Sequence, residues 1–184
     1  MAREIAVKIV FYGPGLSGKT TTLRKVYDTI RPANRGEMMS LATEGDRTLF
    51  FDFLPLKVER VGDCVVRLAL YTVPGQVFYN ATRKLVLQGA DGVVFVADSQ
   101  PEAMTPNREA FRNLEDNLEE LGIHLREFPL VLQYNKRDLP TAVPMSELHA
   151  AINPYKAPQF ESCATSGRGV LDMEIGRASC RERV

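Results

Sequence analysis

Gly13-Pro-Gly-Leu-Ser-Gly-Lys-Thr20 is the stretch whose reading decides the fold. It follows an apolar, β-branched run, Ile5-Ala-Val-Lys-Ile-Val-Phe-Tyr12, and precedes a helix-compatible segment, Thr20 to Ile30. The spacing G-x-x-x-x-G-K-[ST] between a strand and a helix is that of a phosphate-binding loop. Gly13, Gly15 and Gly18 let the backbone bend and turn its N–H groups toward one anion. Leu16, Ser17 and Thr21 belong to the same candidate anion cradle. The N-terminus of the following helix adds positive partial charge behind it. Lys19 suits the β- and γ-phosphates of a nucleotide, and the Thr20 hydroxyl suits Mg²⁺.

Outward from this loop, composition sets the bounds. The chain has 184 residues, 45% hydrophobic and 25% charged, which suits one globular domain. Its 23 basic and 23 acidic residues cancel, so no basic footprint for nucleic acid is present. The N-terminal apolar run passes straight into the phosphate loop, unlike a signal peptide. No apolar run of about 18 residues suggests a transmembrane segment, and no lipidation box is readable. Cys64, Cys163 and Cys180 have neither zinc-like nor disulfide-framework spacing. A reducing, cytoplasmic compartment is expected.

Apolar runs alternate with helix-like segments, the pattern of an α/β, doubly wound, mostly parallel sheet. Six strands are expected, at 5–12, 48–59, 64–71, 92–97, 129–134 and 159–164. The second and third form the one antiparallel hairpin, turning at Val61-Gly62-Asp63. Pro55 suggests an edge or a bulge. Helices are expected at 20–30, 77–88, 107–121 and 146–152. The second carries Val77, Ala81, Leu85 and Gln88 on related turns, Gly122 would stop the third, and Ser146 would cap the fourth. His124 and His149 read as surface residues. Residues 37–47 read as a polar, irregular connection.

A second motif, Asn135-Lys-Arg-Asp138, follows the buried strand 129–134, at the strand end where ligands of such sheets sit. The Asp138 carboxylate can accept two hydrogen bonds from the adjacent N1–H and N2 amino donors of guanine. Adenine would leave it unpaired, and loss of such bonds in a dry site discriminates strongly. Asn135 can tie this loop to the phosphate loop, and the Lys136 stem can lie across a base plane. A third element, Cys163-Ala164-Thr165, matches a short loop whose backbone N–H reaches the guanine oxygen, with Ala164 and Thr165 as contacts.

These motifs, with Leu41-Ala-Thr-Glu44, Arg47-Thr-Leu-Phe-Phe-Asp-Phe53 and Thr72-Val-Pro-Gly-Gln76, make the chain resemble the small Ras-like GTPases. Among them it is most similar to the bacterial MglA group of polarity and gliding-motility GTPases. The resemblance spans residues 3–173. It implies a Ras-like P-loop NTPase fold, GTP or GDP as ligand, Mg²⁺ as cofactor and slow intrinsic hydrolysis. It also implies a roadblock-domain (LC7-type, MglB-like) activator, motility or polarity effectors, and recruitment to cell poles. The expected G domain is 1–173.

The departures are informative. Most relatives carry an Asp that holds Mg²⁺ through water where this chain has Thr72. A hydroxyl binds such water less strongly, and Asp52 on the neighbouring strand is a candidate to restore the charge. An ordinary strand-face carboxylate is the other reading of Asp52. Gly75 can donate its N–H to the γ-phosphate, and Gln76 stands where a glutamine orients the attacking water. Thr48 or Thr43 supplies a second hydroxyl to Mg²⁺, Thr48 being the one that matches the motif. The resemblance gives Arg47 the role of an intrinsic arginine finger. Some side chains among Phe50, Phe51, Phe53, Leu54, Leu56, Val77, Phe78 and Tyr79 are candidates for a partner surface.

Three function classes remain. The leading one is a GTPase switch. The second is a guanine-nucleotide-binding interaction module with negligible hydrolysis. The third is a small-molecule kinase, in which Asn135-Lys-Arg-Asp138 would be idle. Past Met173 the chain reads Glu174-Ile-Gly-Arg-Ala-Ser-Cys-Arg-Glu-Arg-Val184, with no apolar period. That segment resembles vector- or adapter-derived sequence, standing where a final helix is expected. Without that helix one sheet face would be partly uncovered.

Overall fold

The structure is a computed structural model that describes residues 3–41, 51–61 and 64–171. In chain order its main elements are β1 (Arg3–Tyr12), α1 (Lys19–Thr29), β2 (Met39–Leu41), β3 (Phe51–Val61), β4 (Cys64–Thr72) and α2 (Asn80–Leu87). They continue with β5 (Gly92–Asp98), α3 (Met104–Glu120), β6 (Leu130–Asn135), α4 (Met145–Ile152) and β7 (Gln159–Glu161). The strands of the described residues form one seven-stranded sheet in the order β2-β3-β4-β1-β5-β6-β7. Neighbours from β4 to β7 run parallel. β3 runs antiparallel to both of its neighbours.

Register aligns the functional strand ends. Phe11 pairs with Thr72, Asp98 with Asn135, and Tyr134 with Glu161. The carboxyl ends of β1, β4, β5, β6 and β7 therefore lie on one sheet edge, where doubly wound folds bind ligands.

Alternation along β1 feeds two apolar layers. Val10 and Tyr12 face the layer that contains residues of α2, α3 and α4. Ile9 and Phe11 face the layer that contains Leu23 and Val26 of α1. β5 is buried along its whole length, as a strand covered on both faces must be. On α3, Ala110, Phe111, Leu114 and Leu118 are buried at helical spacing, and the Phe111 ring meets Phe95 edge-on at 5.2 Å between centroids. Full burial of Leu114 and Leu118 contributes about 1.5–3 kcal/mol each relative to exposure.

Several sequence expectations are corrected. The sheet gains a seventh strand, β2, within the stretch read as irregular. It has three residues and pairs Met39–Leu41 with Phe51–Phe53. Such a strand is too short to leave an alternating pattern. The antiparallel part is thus three strands rather than one hairpin. Pro55 lies beyond the reach of β2, opposite Ala69 of β4, and its carbonyl accepts the Gly36 N–H. α2 begins at Asn80, after a 3₁₀ turn (Val77–Tyr79), and buries Thr82, Arg83, Val86 and Leu87. Ala81, Leu85 and Gln88 face solvent. α3 starts at Met104 because Pro106 falls in its first turn, where the missing N–H costs nothing. α4 is entered at Pro144, whose carbonyl accepts from Glu147 and Leu148, so Ser146 lies inside the first turn and is not its cap. β7 ends at Glu161, because Cys163 exchanges backbone hydrogen bonds with Gly167 and Arg168 in a turn.

Gly122 takes a left-handed φ of 76° and ends α3, with its N–H on Glu119 O. His124 is exposed, while His149 is half-buried against Gln159. Leu54 and Leu56 are core, Phe51 and Phe53 flank Tyr71 half-buried, and Phe78 is 87% exposed. Phe50, the turn at Gly62-Asp63 and the segment 174–184 lie outside the described residues.

Candidate nucleotide site

The loop between β1 and α1 occupies the centre of the functional edge. Gly18 has φ 99°, and a Cβ there would overlap the Asn135 amide nitrogen. Only glycine satisfies both conditions. Asn135 Nδ2 donates to Ser17 O at 2.8 Å, while its Oδ1 accepts from Ala164 N at 2.9 Å and from Ser162 Oγ at 3.1 Å. One side chain thus joins the β1–α1 loop, the β6 turn and the β7 turn.

Inside the loop, Lys19 is 6% exposed, and its Nζ donates to Pro14 O at 2.6 Å and Gly13 O at 3.0 Å. Burial foremost, then the nearby Arg83 charge, pulls its pKa down to about 7, with Asp52 acting in the opposite sense. Ser17 Oγ is buried with no partner among the described residues. A desolvated ammonium and an unbonded hydroxyl around inward-bending backbone fit an anionic group. Leu16 holds φ 61° and is 91% exposed at the loop's lip. Thr21 faces solvent on the first turn of α1. Gly75 leans so closely on Gly15 that a Cβ on Gly75 would overlap the Gly15 backbone. Gln76 follows, exposed, at the start of the 3₁₀ turn.

Beside the loop, hydroxyls converge on Asp52. Its Oδ2 accepts from Thr20 Oγ1 at 2.6 Å and Thr72 Oγ1 at 3.0 Å, and its Oδ1 accepts from Ser40 Oγ at 2.7 Å. Asp52 is 8% exposed and also donates its backbone N–H to Thr72 Oγ1. A carboxylate with three hydroxyls is an all-oxygen set, which suits a hard divalent cation. Thr43, Arg47 and Thr48 lie outside the described residues.

At the β6 end, Lys136 takes a left-handed φ of 65° and its Nζ donates to Asp98 Oδ2 at 2.6 Å. Asp98 is 4% exposed, and its Oδ1 also accepts the Gln100 N–H. Asp138 is exposed. A hydrogen bond with the Cys163 thiol, then its own backbone N–H and the Arg168 and Lys136 charges, holds its carboxyl below the usual carboxylate range. Thr165 is exposed beside buried Ala164. The structure therefore gathers the Gly13–Thr20 loop, Gly75, Asp52, Thr72 and Asn135 around one edge.

Sequence reasoning missed Asp98, Ser40 and Arg83. Asp98 had a signal, a carboxylate closing an all-apolar strand at the ligand-binding edge. Arg83 had none, since arginine on a helix ordinarily reads as surface. A separate concavity between α3 and α4, lined in part by Arg108, Arg112 and Glu147, contains none of these groups. Among the described residues, no helix is long and apolar enough to cross a membrane.

No protein-family model matches the chain. It is 54% identical over 171 residues to the mutual gliding-motility protein MglA of Myxococcus xanthus, covering 93% of this chain and 88% of that protein. It is 27% identical over 173 residues to ADP-ribosylation factor-like protein 6 of Caenorhabditis elegans, covering 89% and 80%. On the strength of the first match, and with the Ras-like sheet already in place, the chain belongs to the MglA-like small GTPases.

Proposed function

We propose that this chain binds GTP and GDP with Mg²⁺ and slowly hydrolyses GTP, as a switch in bacterial cell polarity and gliding motility. The observation that carries the reading is Asn135, which joins a glycine-bent phosphate loop to a turn bearing a carboxylate suited to guanine. The likeness to a gliding-motility protein supports the cellular role. An MglB-like roadblock-domain protein is the proposed activator, and residues 1–173 form the proposed G domain.

In this mechanism, backbone N–H groups of Gly13, Gly15, Leu16, Ser17 and Gly18 cradle the phosphates. Lys19 leaves its two carbonyl partners for phosphate oxygens, a charge-assisted exchange favoured in a dry site. Thr21 borders the cradle. Asp138 reads the guanine N1–H and amino group, Ala164 N–H and Thr165 meet the base oxygen, and the Lys136 stem covers the base plane. Thr20, Asp52 with Thr72, and Thr48 would hold Mg²⁺, directly or through water. When bound, the ion neutralises charge on the phosphate oxygens. Gly75 N–H marks the γ-phosphate, Gln76 orients water, and Arg47 stabilises charge on the transferring group. The chemistry is positioning and electrostatics, with no covalent intermediate.

One observation favours a second reading, a guanine-nucleotide-binding module with negligible hydrolysis: the Thr72 hydroxyl is already bonded on both sides to Asp52. Single-turnover GTP hydrolysis with and without a roadblock-domain partner separates the two. ATP competition against bound GDP tests base choice; displacement at equal concentration would refute the guanine assignment.

A further inference from the structure

Arg83 heads the fully buried side chains by volume, with 0% exposure. It sits on α2, where an arginine ordinarily reaches water. Taking a guanidinium inside costs several kcal/mol unless oxygens replace its water. Here three different nitrogens each find one. Nε donates to Pro74 O at 2.8 Å, Nη2 to Gly75 O at 2.6 Å and Nη1 to Asn113 Oδ1 at 2.8 Å. The Tyr12 ring packs alongside, 5.1 Å from the guanidinium carbon.

The two backbone acceptors are consecutive, and this fixes a peptide plane. In a trans peptide the carbonyl and the following N–H point in opposite directions. The structure has no cis bond among the described residues. Arg83 grips Pro74 O, so it aims the Gly75 N–H away from itself. Its hold on Gly75 O fixes the next plane, which leads into Gln76. On its other flank Gly75 rests against Gly15 of the phosphate loop.

The grip is itself anchored. Asn113 Oδ1 also accepts from Tyr12 OH at 2.5 Å, and Asn113 Nδ2 donates to Asn80 Oδ1 at 2.8 Å. Asn117 Nδ2 donates to both Tyr12 OH and Asn80 Oδ1. Tyr12 is the last residue of β1 before the phosphate loop. A partly buried polar network therefore runs from the loop's entry strand through α3 and α2 to the Pro74-Gly75 carbonyls.

We propose that Arg83 is a positioning residue for the γ-phosphate: it presents the Gly75 N–H to that group and sets where Gln76 begins. The role rests on the GTP-binding reading above. GDP has no γ-phosphate and does not use this N–H. Arg83 therefore affects the preference for the triphosphate over the diphosphate.

The test measures GDP and GppNHp affinities, with Mg²⁺, for the full chain, R83M and N113A. R83M is expected to lower the GppNHp-to-GDP preference roughly tenfold, the scale of one hydrogen bond to a charged group. N113A keeps the two carbonyl bonds but loses the anchor; it should lower the GppNHp-to-GDP preference about threefold. It decides the matter if R83M does not fold. Equal losses for both nucleotides, or an unchanged preference, would overturn the role and leave the proposed function standing. A wild-type chain that binds neither nucleotide overturns both.

Discussion

Asp52 and Thr72 exchange two hydrogen bonds across β3 and β4. The Asp52 N–H donates to Thr72 Oγ1 at 2.8 Å, and that same oxygen donates to Asp52 Oδ2 at 3.0 Å. Thr20 Oγ1 also donates to Asp52 Oδ2 at 2.6 Å, and the proposed function gives this carboxylate a part in holding Mg²⁺. The first prediction follows directly. D52N should weaken GDP binding in Mg²⁺ buffer by roughly tenfold, with little change in EDTA. Isothermal titration in the two buffers checks this, and equal losses in both would assign Asp52 a purely structural part.

In the proposed function, guanine choice rests on Asp138. D138N replaces one acceptor with a donor facing guanine donors. GTP-over-ATP preference should fall roughly a hundredfold or more. Competition binding reads it, and an unchanged preference would refute the base assignment.

The Asp138 carboxyl titrates below the usual range chiefly through the Cys163 thiol. Its depressed value means that the charged form survives to lower pH and is lost only as pH falls through the folded value. C163A removes the largest cause, so the titration should move up toward that of a free carboxylate. Carboxyl ¹³C shifts of Asp138 against pH measure it. No upward movement would show that Arg168, Lys136 and the backbone suffice.

Asp98 fixes the Lys136 ammonium at 2.6 Å while Lys136 holds a left-handed backbone. D98N keeps the shape but drops the charge. Release of a fluorescent GDP should speed up by roughly tenfold, whereas GTP-over-ATP preference should persist because Asp138 is untouched. Loss of both together would place Asp98 in base reading itself.

Arg47 lies outside the described residues, and its expected role comes from the family resemblance. R47A should reduce partner-stimulated hydrolysis by roughly a thousandfold or more while sparing GTP binding. Single-turnover hydrolysis alongside equilibrium binding distinguishes the two effects.

Legibility followed the range of each constraint. Gly13–Thr20 and Asn135-Lys-Arg-Asp138 were readable because short, local geometry demands specific residue types there. The parallel core was readable because β5 carries an unbroken apolar run from Val93 to Ala97 and β6 one interrupted only by Gln133 before Tyr134. β2 was not, since three residues borrow their shape from β3. The buried face of α2 was not legible because its inward stripe contains Thr82 and Arg83 beside Val86 and Leu87. What makes Arg83 tolerable inside is a set of oxygens from Pro74, Gly75 and Asn113, the last of them 30 residues away. Nothing in the helix's own sequence announces them.

β1 is unevenly wet. Glu4, Ile5 and Ala6 are exposed, Val7 and Lys8 are half-buried, and every residue from Ile9 to Tyr12 is buried. A ladder with that profile unzips from its outer end, because opening free energy tracks how much apolar contact each rung gives up. Amide exchange should accordingly sweep inward along the strand and stall at Ile9. The molecule can fray at its base while the glycine bend beyond Tyr12 keeps its shape, so partial opening need not release what that bend holds.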